Sequence, residues 1–170
     1  MSILTIRELT SADEPYVAEI DRLATADLRK VYEPNQEAQK QRAAIGPTLE
    51  GLVAVLRGRV VGIVRYRIVA DRLSLLGLGV HPIFRQRGVA TALIEQLHSI
   101  GQDKGCTAVT LYTVRETGNV GVFERMGFMV VSEEPSKLFQ SVSFSSLSEV
   151  HMIKGILGTV HHAPDRHDRS

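Results

Sequence analysis

The chain has 170 residues, enough for one compact domain to bury a continuous core without metals or disulfides. Its 20 lysines and arginines against 19 acidic residues leave a formal charge of +1, so no global field favours nucleic acid or an acidic membrane, and any anion site must be built locally. The lone Cys106 excludes an intrachain disulfide framework and a paired-cysteine metal or redox site, and fits a reducing, cytoplasmic compartment.

The opening MSILTIREL alternates apolar and polar residues, without the basic head and apolar run of a secretory signal, and no stretch approaches the roughly 20 apolar residues of a membrane span. Export and membrane insertion are therefore not expected. Residues 3–9 read as a strand. Ser11 and Glu14 then stand as a capping box before apolar residues at Val17, Ile20, Ala24, Leu28 and Val31, the spacing of an amphipathic helix. The polar segment Glu33 to Pro47 reads as a short helix or an ordered loop.

β-Branched runs at 52–56, 60–69 and 73–80, broken at Arg57–Arg59 and near Asp71, predict an antiparallel meander. Val89, Leu93, Ile94, Leu97 and Ile100 form a 3.6-residue stripe, and Gly105 supplies a stop, so a long helix spans about 88–104. Strands follow at 107–114, 128–132 and 149–156, with a short helix at 119–126 ended by Gly127. The fold class is α/β in the α+β sense, with residues 1–157 as a single domain. Residues 158–170 are polar and read as a disordered tail.

The stretch LGVHPIFRQRGVATALIEQL sets a buried-type strand, a proline, two arginines and a glycine directly before the long helix. The first N–H groups of that helix lack intrahelical partners and sit at the positive end of its dipole, where a turn free of bulk admits a pyrophosphate. Gly88 and Ala90 keep the approach open, and Arg85 and Arg87 can add charge-assisted bonds. The same string also serves as a plain turn with solvated arginines.

RQRGVA resembles the Q/R-x-x-G-x-G/A signature of the GNAT superfamily of acetyl-coenzyme A-dependent N-acetyltransferases, and GNVGVFERMGF resembles its second segment. The resemblance covers essentially the whole chain except the tail. It implies a central mixed, largely antiparallel sheet of about seven strands flanked by about four helices, splayed between parallel strands at 73–80 and 107–114. The pantetheine arm of acetyl-coenzyme A would lie in the gap along Leu78, Gly79 and Val80. Its pyrophosphate would meet Arg85, Gln86, Arg87, Gly88, Val89, Ala90 and Thr91, with Asn119 and Phe123 beside the arm. Asn119 reads equally as the N-cap of the short helix.

Two positions depart from the family pattern. Phe123 stands where many members carry a tyrosine that protonates the leaving thiolate, and Thr113 stands near a frequent glutamate. Replacement catalysts are Tyr112, Glu116, His151 and Tyr66, each also readable as a packing or surface group. Direct attack of the amine on the bound thioester, with water removing the proton, needs none of them. His81 and His98 read as structural or solvated, Cys106 as a small, half-buried residue or, alternatively, as the nucleophile of a covalent acyl-cysteine enzyme, and no metal is expected.

The acceptor, a primary amine of a small molecule or peptide, would face the first helix, residues 33–47 and the strands around 138–150. Tyr32, Glu33, Asp71 and Glu149 there read as amine-attracting groups or as surface and turn residues. Self-association into a homodimer is allowed. Two competing functions are a non-catalytic acyl-coenzyme A sensor, suggested by Phe123 and Thr113, and a dinucleotide-binding domain, which the missing GxGxxG and βαβ repeats disfavour.

Overall fold

The computed structural model describes residues 3–45, 50–142 and 146–157, and the expected tail at 158–170 lies outside them. Strand β1 (Leu4–Glu8) turns Leu4 and Ile6 toward the core and leads through a single 3-10 turn at Ser11–Asp13 into helix α1 (Glu14–Leu28). The capping box expected at Ser11 and Glu14 forms one residue earlier: Thr10 N and Oγ1 both donate to the Asp13 carboxylate, at 2.9 and 3.0 Å. Arg7 is the reason, because its guanidinium grips both oxygens of Asp13 at 2.8 Å and fixes that carboxylate as the acid of the box.

The polar segment resolves into strand β2 (Tyr32–Pro34) and helix α2 (Gln36–Ile45). Asn35 starts the helix by accepting from Ala38 N at 3.0 Å through its side-chain oxygen. The meander is β3 (Glu50–Leu56), β4 (Arg59–Val69) and β5 (Arg72–Val80), followed by α3 (Val89–Asp103), β6 (Ala108–Val114), α4 (Asn119–Arg125) and β7 (Met129–Pro135). β8 (Phe139–Ser141), which the sequence did not announce, pairs with β2, and β9 (Ser148–Gly155) completes the chain.

Seven strands form one sheet in the order β1-β3-β4-β5-β6-β9-β7, in which every ladder is antiparallel except β5 with β6. This is the mixed, largely antiparallel sheet that the motifs implied. Its two faces are covered differently. On one, the α3 stripe of Val89, Leu93, Ile94 and Leu97 packs on Val61, Val64, Leu73, Val109 and Leu111, and Phe123 and Phe128 extend the core under α4. On the other, Val17 and Ile20 of α1 pack on Val53, Val60 and Ile63, so that α1 covers β3 to β5. Burying each large side chain contributes about 1.5–3 kcal/mol. Among the described residues no helix is long and apolar enough to cross a membrane.

The Arg7 fork, with a smaller contribution from the Thr10 bonds, holds the Asp13 carboxyl well below the usual carboxylate range. The unfolded chain then takes up that proton more readily than the folded one. The contribution is complete above about pH 5, clear of the unfolded carboxyl value, and is lost as the pH falls toward the depressed folded value. Arg7 is half open to solvent, so Asp13→Asn should cost about 1–2 kcal/mol at neutral pH. Urea melts at a series of pH values should show the gap between parent and variant closing between about pH 5 and about pH 2.

Candidate functional site

β5 and β6 are held together at one end only. Thr107 N donates to Asp71 O at 2.7 Å, the Thr107 hydroxyl donates to the Asp71 carboxylate at 3.0 Å, and the Ser74 and Thr110 hydroxyls meet at 3.3 Å. Ladder pairing runs only from Arg72–Ala108 to Ser74–Thr110. Beyond it β5 bulges, because Arg65 faces Gly77 while Tyr66 faces Leu75, leaving Leu76 without a partner on β4. A bulge bends and twists its strand. β6 instead stays laddered to β9 as far as Val114–Glu149. The strands therefore diverge, and from Leu75 to Val80 the edge of β5 that faces β6 has no strand partner among the described residues. Buried backbone groups do not stay unpaired, so such an edge is suited to an extended ligand with amide groups.

The chain leaves the open end of β5 through a 3-10 turn at Pro82–Phe84 and enters α3 through two left-handed residues, Gln86 at φ 61° and Gly88 at φ 78°. The first helical bond is Ala92 N to Gly88 O, so the amides of Val89, Ala90 and Thr91 have no acceptor behind them. A Cβ on Gly88 would meet nothing within 4 Å, and the space before these donors is open. Gln86 bears a side chain in a conformation that costs about 1 kcal/mol or more, a form of strain that clusters at ligand sites.

The two arginines of the turn have separate settings. Arg85 donates from one guanidinium nitrogen to Asp27 of α1 at 2.8 Å and from Nε to Val80 O at 3.3 Å, and its hydrogen bond lowers the Asp27 pKa. To serve a phosphate it would have to leave Asp27. Arg87 instead lies over the Phe84 ring, 5.6 Å from its centroid.

On the α1 face, beside the divergence, Tyr112 and His151 stand directly opposite each other on β6 and β9 with their rings stacked at 4.5 Å and 10°. Their neighbours Leu111 and Met152 point into the α3 core, so strand alternation places this pair on the opposite face. Tyr112 is 74% exposed. Gly77 shares this face, since its partner Arg65 binds Asp21 of α1 at 2.8 Å, and a Cβ there would meet nothing within 4 Å. The β2–β8 ribbon carries Tyr32 against Phe139, with ring centroids 4.6 Å apart and planes tilted by 57°, and Arg29 lies over the tyrosine ring. Burial pushes the Tyr32 hydroxyl pKa up, with Arg29 opposing.

The remaining candidates are held elsewhere. Tyr66 belongs to the α3 core, where burial raises its pKa. Glu116 accepts from Ser148 N at 3.1 Å and pins the start of β9. Phe123 is buried edge-on against Phe128 at 5.7 Å. Asn119 is the first residue of α4, with Gly118 as the cap, so its side chain does not have the N-cap role. Asp71 clamps the closed end of the splay, away from the open end. Burial raises the Glu149 pKa, with Ser136 opposing and Glu134 adding to the shift. Cys106 is buried, and burial followed by Asp71 pushes its thiol up, which disfavours a thiolate. The His81 ring accepts from Ile83 N at 3.3 Å and meets Phe84 edge-on. Among the described residues no group of three His, Cys, Asp or Glu gathers as a metal site.

The bulge at Leu76, the β8 ribbon and the setting of Arg85 were not read from the sequence. Each depends on pairing with a different element of the chain.

Fold and site together define an α/β domain in which the one parallel strand pair among the described residues opens beside a helix N-terminus whose first amides are unpaired. Residues 8–128 match the Acetyltransferase (GNAT) family, and the chain belongs to that family of acetyl-coenzyme A-dependent N-acetyltransferases. Solved structures share the fold. The ribosomal-protein-S18-alanine N-acetyltransferase from Escherichia coli superposes with a TM-score of 0.71 at 17% identity, over 95% of this chain and 99% of that one. NAA60 from Arabidopsis thaliana, in complex with a bisubstrate analogue, gives 0.69 at 19% identity, over 92% and 100%. yncA, a putative acetyltransferase from Salmonella typhimurium with its cofactor acetyl-CoA, gives 0.68 at 19%, over 96% and 99%.

Gly88→Ala should fold and destabilise by about 1 kcal/mol, because the penalty is left-handed backbone rather than a clash. Denaturant melts check the magnitude, and a loss of several kcal/mol would mean that the turn is packed against something.

Proposed function

We propose that the chain transfers the acetyl group of acetyl-coenzyme A to a primary amine of a small molecule or peptide in a ternary complex. The observation that carries this reading is the parallel pair open beyond Ser74 and Thr110, with the unpaired amides of Val89 to Thr91 at its mouth. The residues present fit the cofactor. The free edge of β5 at Leu78 and Val80 would bind an amide-bearing arm, and the amides of Gln86 to Thr91 would take a diphosphate in the open space before Gly88. Bound acetyl-coenzyme A supplies an activated thioester. The chain's own part is to orient it, to bring a neutral amine to the α1 face and to return a proton to the departing sulfur.

Tyr112 is the group best placed for that proton. Its hydroxyl stands on the α1 face of the diverging strand, and the stacked His151 ring fixes the orientation of the phenol. Phe123 has no hydroxyl and faces the core, so Tyr112 takes over by position rather than by motif. The acceptor would enter over Gly77, between Tyr112 and the β2–β8 ribbon.

Two experiments test this reading. Gly88→Glu should weaken coenzyme A binding by about tenfold to a hundredfold beyond Gly88→Ala, which carries the same backbone strain without the charge. Calorimetry on the pair separates charge from strain, and equal affinities would place the phosphates elsewhere. Thiol release from acetyl-coenzyme A across an amine panel should fall about 10²-fold in Tyr112→Phe with cofactor affinity kept. Unchanged turnover would leave the proton to water, and binding without turnover on any amine would identify a sensor.

A further inference from the structure

A second cleft opens on the far side of the phosphate turn from the splay, between the β3–β4 hairpin and the start of α3. It measures about 450 Å³ and is lined by Leu4, Leu56, Val89, Phe84 and the arginines Arg57, Arg59 and Arg87. The hairpin is a two-residue turn, Arg57 and Gly58, both left-handed at φ 52° and 73°, which sets Arg59 as the first residue of β4 opposite Leu56. Arg59 lies 5.5 Å from the centroid of the Phe84 ring, the ring that also carries Arg87 at 5.6 Å. One aromatic ring thus holds two guanidiniums, from the hairpin and from the phosphate turn.

Like charges gathered in a concave wall repel each other unless something negative offsets them. Among the described residues no acidic residue lines the cleft, and neither Arg59 nor Arg87 has an ion-pair partner. Arg85 shows the contrast, because its charge is answered by Asp27. Both free guanidiniums are exposed, and their forked donors match the oxygens of a phosphate. Leu4, Leu56 and Val89 add an apolar wall suited to a flat ring.

We propose that this cleft is a phosphomonoester subsite, in which Arg59 and Arg87 on the Phe84 platform take the 3′-phosphate at the nucleotide end of coenzyme A. The inference rests on the coenzyme reading given above. The diphosphate would occupy the α3 amides, and the nucleotide beyond it would turn toward the hairpin rather than into solvent. Arg59 is then a specificity residue for the phosphorylated cofactor, contributed by a strand turn that neither motif includes.

Calorimetry with coenzyme A and with dephospho-coenzyme A, which lacks only that phosphate, tests the assignment on the parent, Arg59→Gln and Arg67→Gln. Arg67 is exposed further along β4 and controls for loss of one positive charge. The parent should prefer coenzyme A by about tenfold to a hundredfold, and Arg59→Gln should abolish the preference by weakening coenzyme A alone. Arg67→Gln should keep it, and adenosine 3′,5′-bisphosphate should compete with coenzyme A. A preference that survives in Arg59→Gln, or none in a parent that binds both ligands, overturns the subsite while leaving the coenzyme reading intact. Inorganic phosphate that binds through Arg59 without competing with coenzyme A overturns it in favour of a free-phosphate site. Failure of the parent to bind either coenzyme overturns both readings.

Discussion

The structure depends on a parallel strand pair that is tied at one end and not at the other. Asp71 and Thr107 clamp the closed end, and the Ser74–Thr110 contact marks the last shared rung. Each strand then follows its own antiparallel neighbour, β5 along β4 and β6 along β9. Antiparallel ladders hold slightly better per residue than parallel ones, so the weak seam is where the sheet parts. The bulge at Leu76 fixes the direction of the parting by adding twist to β5 alone.

That divergence determines what surrounds it. It leaves a strand edge in need of a partner, and it places the end of β5 where the chain must climb into α3 through a strained turn. The strain at Gln86 is sustained by packing on both sides of the turn. Val89, Leu93, Ile94 and Leu97 seat α3 on the sheet, and Arg85 bridges the turn to α1 through Asp27. The turn is thereby held in shape before any ligand arrives, which spares a ligand the ordering cost of closing it.

The arginines illustrate how position changes the role of one residue type. Arg7 and Arg85 meet carboxylates and act as braces, whereas Arg59 and Arg87 meet a ring and keep their charge outward. The candidate proton carriers divide similarly. Glu116 is committed to holding β9, while Tyr112 remains exposed beside His151 at the divergence.

The sequence by itself determined the main strands and helices and the identity of the family. Alternation and the 3.6-residue stripe located the meander, the long helix and the closing strands. RQRGVA and GNVGVFERMGF marked the turn into α3 and the short helix because local backbone geometry is encoded by nearby residues. The weak polar stretch at 33–47 resolved only when Tyr32–Pro34 found Phe139–Ser141, since a three-residue strand has no stability without its partner. Tyr112 and His151 are 39 positions apart along the chain, and their stacking is created by the β6–β9 register alone. Phe123 and Asn119 were legible as motif positions, yet which way each side chain turns was decided by packing. Arg59 gave no local signal at all, because its meaning comes from Phe84, Arg87 and the cleft between them. Charge and shape at a site are sums over distant residues, and only the tertiary structure performs that sum.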